Sequence, residues 1–296
     1  MIMATRWIPF ALMIAAVAVV VVYQINITRE APPAAYPINR TVKYSLTVKN
    51  PSHEPVTQAS FWLYAPVRQG VYQIVDEIAS SHPYTMEEDG AGNQRMRFQI
   101  EHLPPFGQKG YTVTARLRLS ESPNRLPSIP QDQYLAEERF MELSDSRIQR
   151  LAATLSADTD HGSVKNIFQW VIGNIENSGY IPREQGALQT LIAKSGDCTN
   201  TMYLFSALSR ANGIPTRNMA GFTARENAVL KPRDYHNWLE VYVDGEWRLI
   251  DPDKGIFMER AADYIAMTVL KDASTLALQQ SQRLFGGSEN IQISMN

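Results

Sequence analysis

The chain has 296 residues, 44 % of them apolar, with 28 lysines and arginines against 30 aspartates and glutamates and a formal net charge of −2. That balance gives no electrostatic basis for nucleic-acid binding, and the apolar share excludes an intrinsically disordered chain. A single cysteine excludes an internal disulfide and a cysteine-rich metal site, while the length allows one large or two medium domains.

Arg6 precedes an uncharged run from Trp7 to Tyr23, near the lower limit of the roughly 17–25 residues that span a bilayer. Ala16-Val17-Ala18 has the small-residue pattern of a leader cleavage site, but Val19 to Val22 extend the apolar run where a cleavage region turns polar. Residues 1–30 are therefore read as an uncleaved transmembrane anchor. Arg6 and the amino terminus favour a cytoplasmic N-terminus, a bias that Arg29 weakens, and the body is expected outside the cytoplasmic membrane. Thr28 to Asn39, with Pro32, Pro33 and Pro37, reads as an extended tether.

From Arg40 to Leu119 the pattern becomes short alternating runs. Val42, Tyr44, Leu46 and Val48 mark the apolar face of one strand, and further strands are expected at Ala59–Ala65, Gly70–Val75, Met96–Ile100 and Tyr111–Leu119. Turn clusters separate them, and no helical stretch interrupts them, so residues 31–122 are read as an all-β sandwich of immunoglobulin type. No group of potential catalytic side chains falls in it. Ser120 to Gln133, with Pro123, Pro127 and Pro130, reads as the linker to a second domain at residues 123–296.

Helical periodicity follows. Ile148, Leu151, Ala152 and Leu155 share one face, and Ser163 is read as the N-cap of a helix over Val164 to Asn177. Gly179 to Gly186 is a loop, and Ala187 to Ile192 a short turn or helix. The next helix carries Met202, Phe205, Leu208 and Ala211, and Asn212-Gly213-Ile214-Pro215 ends it. Asp197 suits its N-cap, which puts Cys198 in the first turn, beside free backbone N–H groups and the positive end of the helix dipole. That is the setting in which a thiol becomes a nucleophile, although a lone cysteine is more often a small buried apolar side chain.

Two downstream stretches decide in favour of chemistry. Tyr235 to Val243 and Trp247 to Asp253 flank Asp244-Gly245, a two-residue hairpin signal. With a two-residue turn, Val243 pairs with Glu246, Trp238 falls opposite Asp251, and His236 falls opposite Asp253. His236, Asp251 and Asp253 then lie on one face, with His236 and Asp251 diagonal neighbours roughly 5–8 Å apart at Cβ. A turn longer by one residue would break this parity. A helix-start cysteine, a histidine and an orienting carboxylate are the parts of a Cys-His-Asp nucleophilic site, and geometry alone leaves Asp251 and Asp253 both open as the acid.

Gly196-Asp197-Cys198, Arg210 to Arg217, His236-Asn237-Trp238-Leu239-Glu240-Val241-Tyr242 and Trp247 to Pro252 together resemble the transglutaminase-like superfamily, over roughly Ser163 to Pro252. The resemblance implies a papain-like α+β fold and a catalytic triad of Cys198, His236 and Asp251. It selects Asp251 because the family's acid precedes a proline. Many relatives carry threonine where this chain has Asp253. Cross-linking enzymes, deamidases, cysteine peptidases and inactive forms all occur in the superfamily, so it implies no single reaction. In a bacterium, the body would then lie in the periplasm or on the outer face of the membrane.

The Cys198 N–H is the natural first oxyanion donor. Trp170 and Gln189 lie upstream, but spacing singles out neither as a second. Trp238 and Trp247 are read as packing the sheet or lining the acyl pocket. With no EF-hand pattern and no dense acidic loop, no metal or cofactor is expected. The combined expectation is a membrane-anchored, thiol-dependent acyl-transfer enzyme acting on protein or peptide amides, with the bilayer and envelope proteins as partners. A non-catalytic scaffold in an envelope assembly is the alternative.

Overall fold

A computed structural model describes residues 35–126, 131–181, 185–271 and 284–296. The expected anchor, residues 1–30, lies outside them. Among the described residues no helix is long and apolar enough to cross a membrane. Residues 28–34 of the expected tether also lie outside them, and its last residues belong to the folded body. Tyr36 is already buried, its hydroxyl donating to the Gly70 carbonyl at 2.9 Å, and the first strand begins at Ile38.

Six strands follow in order: β1 (Ile38–Lys49), β2 (Ala59–Ala65), β3 (Gln73–Ser80), β4 (Thr85–Glu88), β5 (Gln94–Ile100) and β6 (Gln108–Leu119). Alternation works as its period requires. Val42, Tyr44, Leu46 and Val48 of β1 are fully buried, and β1 pairs antiparallel with β6 along its whole length. β1, β6 and β3 lie in one sheet and β2, β5 and β4 in another. Their inner faces meet where Tyr111 of β6 stands edge-on to Phe61 of β2 at 4.7 Å, and Phe61 stacks on Phe98 of its own sheet with centroids 4.8 Å apart.

The helical stretch begins with α1 (Ser146–Leu155) and α2 (Asp160–Asn174). The N-cap of α2 is Thr159, whose hydroxyl accepts from the Gly162 N–H, so the helix starts earlier than expected from Ser163. Ser163 is buried inside the first turn and donates back to the Thr159 carbonyl. Next come β7 (Glu176–Asn177), α3 (Ala187–Ala193), β8 (Ser195–Gly196) and α4 (Cys198–Ala211). Every residue of α4 from Asn200 to Arg210 is buried, which makes it the central helix. Gly213, at φ 75°, supplies the left-handed residue that ends it.

A third sheet follows: β9 (Thr216–Thr223), then β11 (Tyr235–Val243), β12 (Glu246–Asp251), β13 (Ile256–Phe257) and β14 (Tyr264–Leu270), in the order β13-β12-β11-β9-β14. The rim segment between β9 and β11 holds a short strand, β10 (Ala228–Val229), which pairs parallel with Val42 and Lys43 of β1. Of the mixed closing elements expected after Phe257, β14 is a strand, and residues 276–283 lie outside the described residues.

The last two strands depart from the expected division at residue 122. β15 (Phe285–Gly287) pairs with β2, and β16 (Gln292–Met295) pairs with β1. The chain thus returns to the first two sheets after building the third. Phe222, Ile265 and Met267 of the third sheet belong to the same buried cluster as Phe61 and Leu117. Ala35 to Asn296 accordingly form one compact unit.

Candidate active site

The start of α4 is fixed by a reciprocal cap. The Asp197 carboxylate accepts from the Thr199 and Asn200 N–H groups at 3.0 and 3.1 Å, and the Asn200 side chain accepts from the Asp197 N–H at 3.1 Å. The second Asp197 carboxylate oxygen accepts from the Ile181 N–H at 3.1 Å, which ties the upstream loop to the helix start. Cys198, partly exposed, is therefore the first residue of the helix, and the bonds made by the Asp197 cap do not use its N–H.

The hairpin has the two-residue turn that the parity argument requires. Asp244 and Gly245 have φ of 53° and 80°, and the register runs from Val243 opposite Glu246 to Leu239 opposite Ile250. His236 and Asp251 thus fall on one face, and His236 Nε2 meets Asp251 Oδ2 at 2.7 Å. Both side chains are buried. Asp251 is held from two more sides. The Tyr264 hydroxyl donates to Oδ2 at 2.6 Å, and the Lys254 N–H donates to Oδ1 at 3.1 Å.

With Nε2 engaged by Asp251, the remaining ring nitrogen of His236 is the one available to Cys198. Burial opposes the imidazolium, but hydrogen bonds to Asp251 and Cys198 outweigh it and push the His236 pKa up to about 9. The structure thus places His236 against Asp251, with Cys198 near enough to act on the imidazole. Burial and the neighbouring Asp251 raise the Tyr264 pKa, so its phenol stays protonated and able to donate.

Cys198 opens into a cleft of about 670 Å³ whose lining includes Asn177, Tyr180, Pro232, Tyr235, Asn237 and Asp253. Asp253 sits in the cleft wall, not against the imidazole nitrogen, and accepts from the Asn177 amide at 2.5 Å. Burial raises its pKa. Trp238 and Trp247 pack in the sheet core and do not line this cleft. Neither does Trp170, which lies under the Lys194 ammonium at 4.1 Å, nor Gln189, which is exposed.

Three neighbours of the site escaped the sequence reading. Asn237, opposite in parity to His236, points toward α4 and accepts from the Thr199 hydroxyl at 3.1 Å, with Cys198 Sγ 3.9 Å away. Adjacency to His236 was the only signal for it. Asn177 and Tyr264 arrive from segments that carry no local mark of the site.

Residues 148–252 match the model of the transglutaminase-like superfamily. The uncharacterized protein YebA of Bacillus subtilis is 24 % identical over 205 residues, which cover 58 % of this chain and 28 % of that relative's length. A candidate cysteine protease from Cytophaga hutchinsonii is similar in fold, with a TM-score of 0.57 at 17 % identity, covering 88 % of this chain and 92 % of that one. The periplasmic domain of TgpA from Pseudomonas aeruginosa aligns at a TM-score of 0.40 and 18 % identity, over 77 % of this chain and 85 % of that one. The matched segment contains Cys198, His236 and Asp251, and it is this part of the chain that is similar to the transglutaminase-like superfamily.

Proposed function

We propose that the chain is a thiol-dependent acyl-transfer enzyme acting on protein or peptide amides. The observation that carries this reading is the buried 2.7 Å contact between His236 Nε2 and Asp251, beside a cysteine at a helix start that opens into a cleft.

The Cys198 sulfur attacks the amide carbonyl, and its proton resides on His236. The Cys198 N–H, at the positive end of α4, stabilises the oxyanion. Collapse of the tetrahedral intermediate breaks the C–N bond. His236 gives its proton to the departing amine, leaving a thioester on Cys198. Water or an amine then attacks the thioester, His236 takes the attacking group's proton, and the thiol is regenerated. Water yields a peptidase or deamidase, and an amine yields a cross-linker. Asp251 orients the imidazole and stabilises its charged form. The uncharged run from Trp7 to Tyr23 supports a membrane anchor, with the body on the extracytoplasmic side. That placement supports envelope proteins or peptides as substrates.

The test is turnover of peptide amides by the intact chain, followed as released amine. Cys198→Ala should abolish release while leaving the circular dichroism spectrum unchanged. Undiminished release in that variant would remove the mechanism.

A further inference from the structure

We propose that an apolar groove beside the Cys198 cleft is a specificity subsite that receives an apolar side chain of the acyl-donor peptide. This rests on the reading of Cys198 as the nucleophile. The groove has a volume of about 580 Å³ and runs along the Phe222 and Tyr235 side chains. Its far wall is built by the returning C-terminal strands, through Phe285, Ile293 and Met295. No charged side chain lines it among the described residues.

The groove adjoins the cleft. Tyr180, Pro232 and Tyr235 line both spaces and form the partition between them. Tyr235 immediately precedes His236, pairs with Phe222 across the strands and meets its ring edge-on at 5.6 Å. A side chain seated there packs against the strand residue that precedes His236. The two spaces differ in chemistry. The cleft carries Asp197, Arg233 and Asp253, suited to backbone and amide groups, whereas the groove offers aromatic and aliphatic surface. An extended peptide with its carbonyl at Cys198 can place a neighbouring side chain over the partition, where burial of one leucine-sized group favours apolar residues.

The experiment compares alanine-based tripeptidyl chloromethyl ketones, with leucine or asparagine placed at each position in turn, as alkylators of the full chain. Cys198 is the single thiol, so labelling reports one site. At one position leucine should react at least tenfold faster than asparagine. The preference should fall to near unity in Met295→Glu and in Tyr180→Ala, the latter at a side chain that is 84 % exposed and free to change without unfolding. No discrimination at any position, or discrimination that persists in both variants, overturns the subsite. A parallel iodoacetamide reaction separates the two readings. If Cys198 reacts no faster in the wild type than in His236→Ala, the nucleophile reading fails and the subsite falls with it. If Cys198 is activated but the peptides do not discriminate, only the subsite falls.

Discussion

Asp251 has no exposed surface and takes three donors, His236 Nε2, the Tyr264 hydroxyl and the Lys254 N–H. A buried carboxylate so held has little freedom to turn away from the imidazole, and in the proposed mechanism Tyr264 is a positioning residue. Tyr264→Phe should lower turnover about tenfold with KM unchanged, the loss of about 1.4 kcal/mol expected when one hydrogen bond to a charged group is removed. Steady-state kinetics of the variant check this. His236 also fixes an alkaline limit. Its folded-state pKa of about 9 lies above the ordinary 6.5, so the imidazolium persists through neutral pH and is lost as pH rises through about 9. Turnover should fall over that window for want of the proton donated to the leaving amine, and a pH–rate profile extended to about 10.5 reads it. At this scale His236 and Asp251 were legible because one two-residue turn sets the parity of both strands. Tyr264 was not, because its approach to Asp251 depends on the chain passing through β13 and returning on the far side of β9.

The elements that carry these side chains are fixed by close backbone approach as much as by side-chain packing. Gly221 of β9 stands opposite His236 on one side and Ala266 of β14 on the other. A Cβ there would be driven into the Ile265 carbonyl oxygen, a backbone atom with no rotamer to change. β14 has its irregularity at this place, between Ala266 and Thr268. Gly221→Ala should therefore cost roughly 1–3 kcal/mol or more of stability, readable in urea unfolding, and should lower turnover by displacing His236. Among the elements, β1, β2 and the start of α4 were legible from alternation and capping. β3, expected at Gly70–Val75, runs over Gln73–Ser80, because a register shift between Val75 and Glu77 breaks its period and its later residues are more exposed. β4 was missed because Thr85 to Glu88 is a polar edge strand with no buried face.

At the scale of the whole molecule, the chain begins and ends its described part in the same two sheets, with the α4-centred layer and third sheet between. Leu284 and Ile291 complete the sandwich core from the far end of the sequence. Hydrophobic pattern marks strands but not partners hundreds of residues away, so the division at residue 122 was a fair reading of local signals and missed the return. The arrangement has a functional consequence. β10 ties the cleft rim to β1, and β15 and β16 stand beside Tyr235, so the first two sheets border the approach to Cys198.

All of this depends on Cys198 being activated by His236. The most direct measurement is the rate of iodoacetamide modification of Cys198 at pH 7 in the intact protein and in His236→Ala. A rate at least tenfold higher in the intact protein is expected from a thiol sharing its proton with a buried, Asp251-held imidazole. Equal rates would contradict the account and leave Cys198 a thiol with no activating partner.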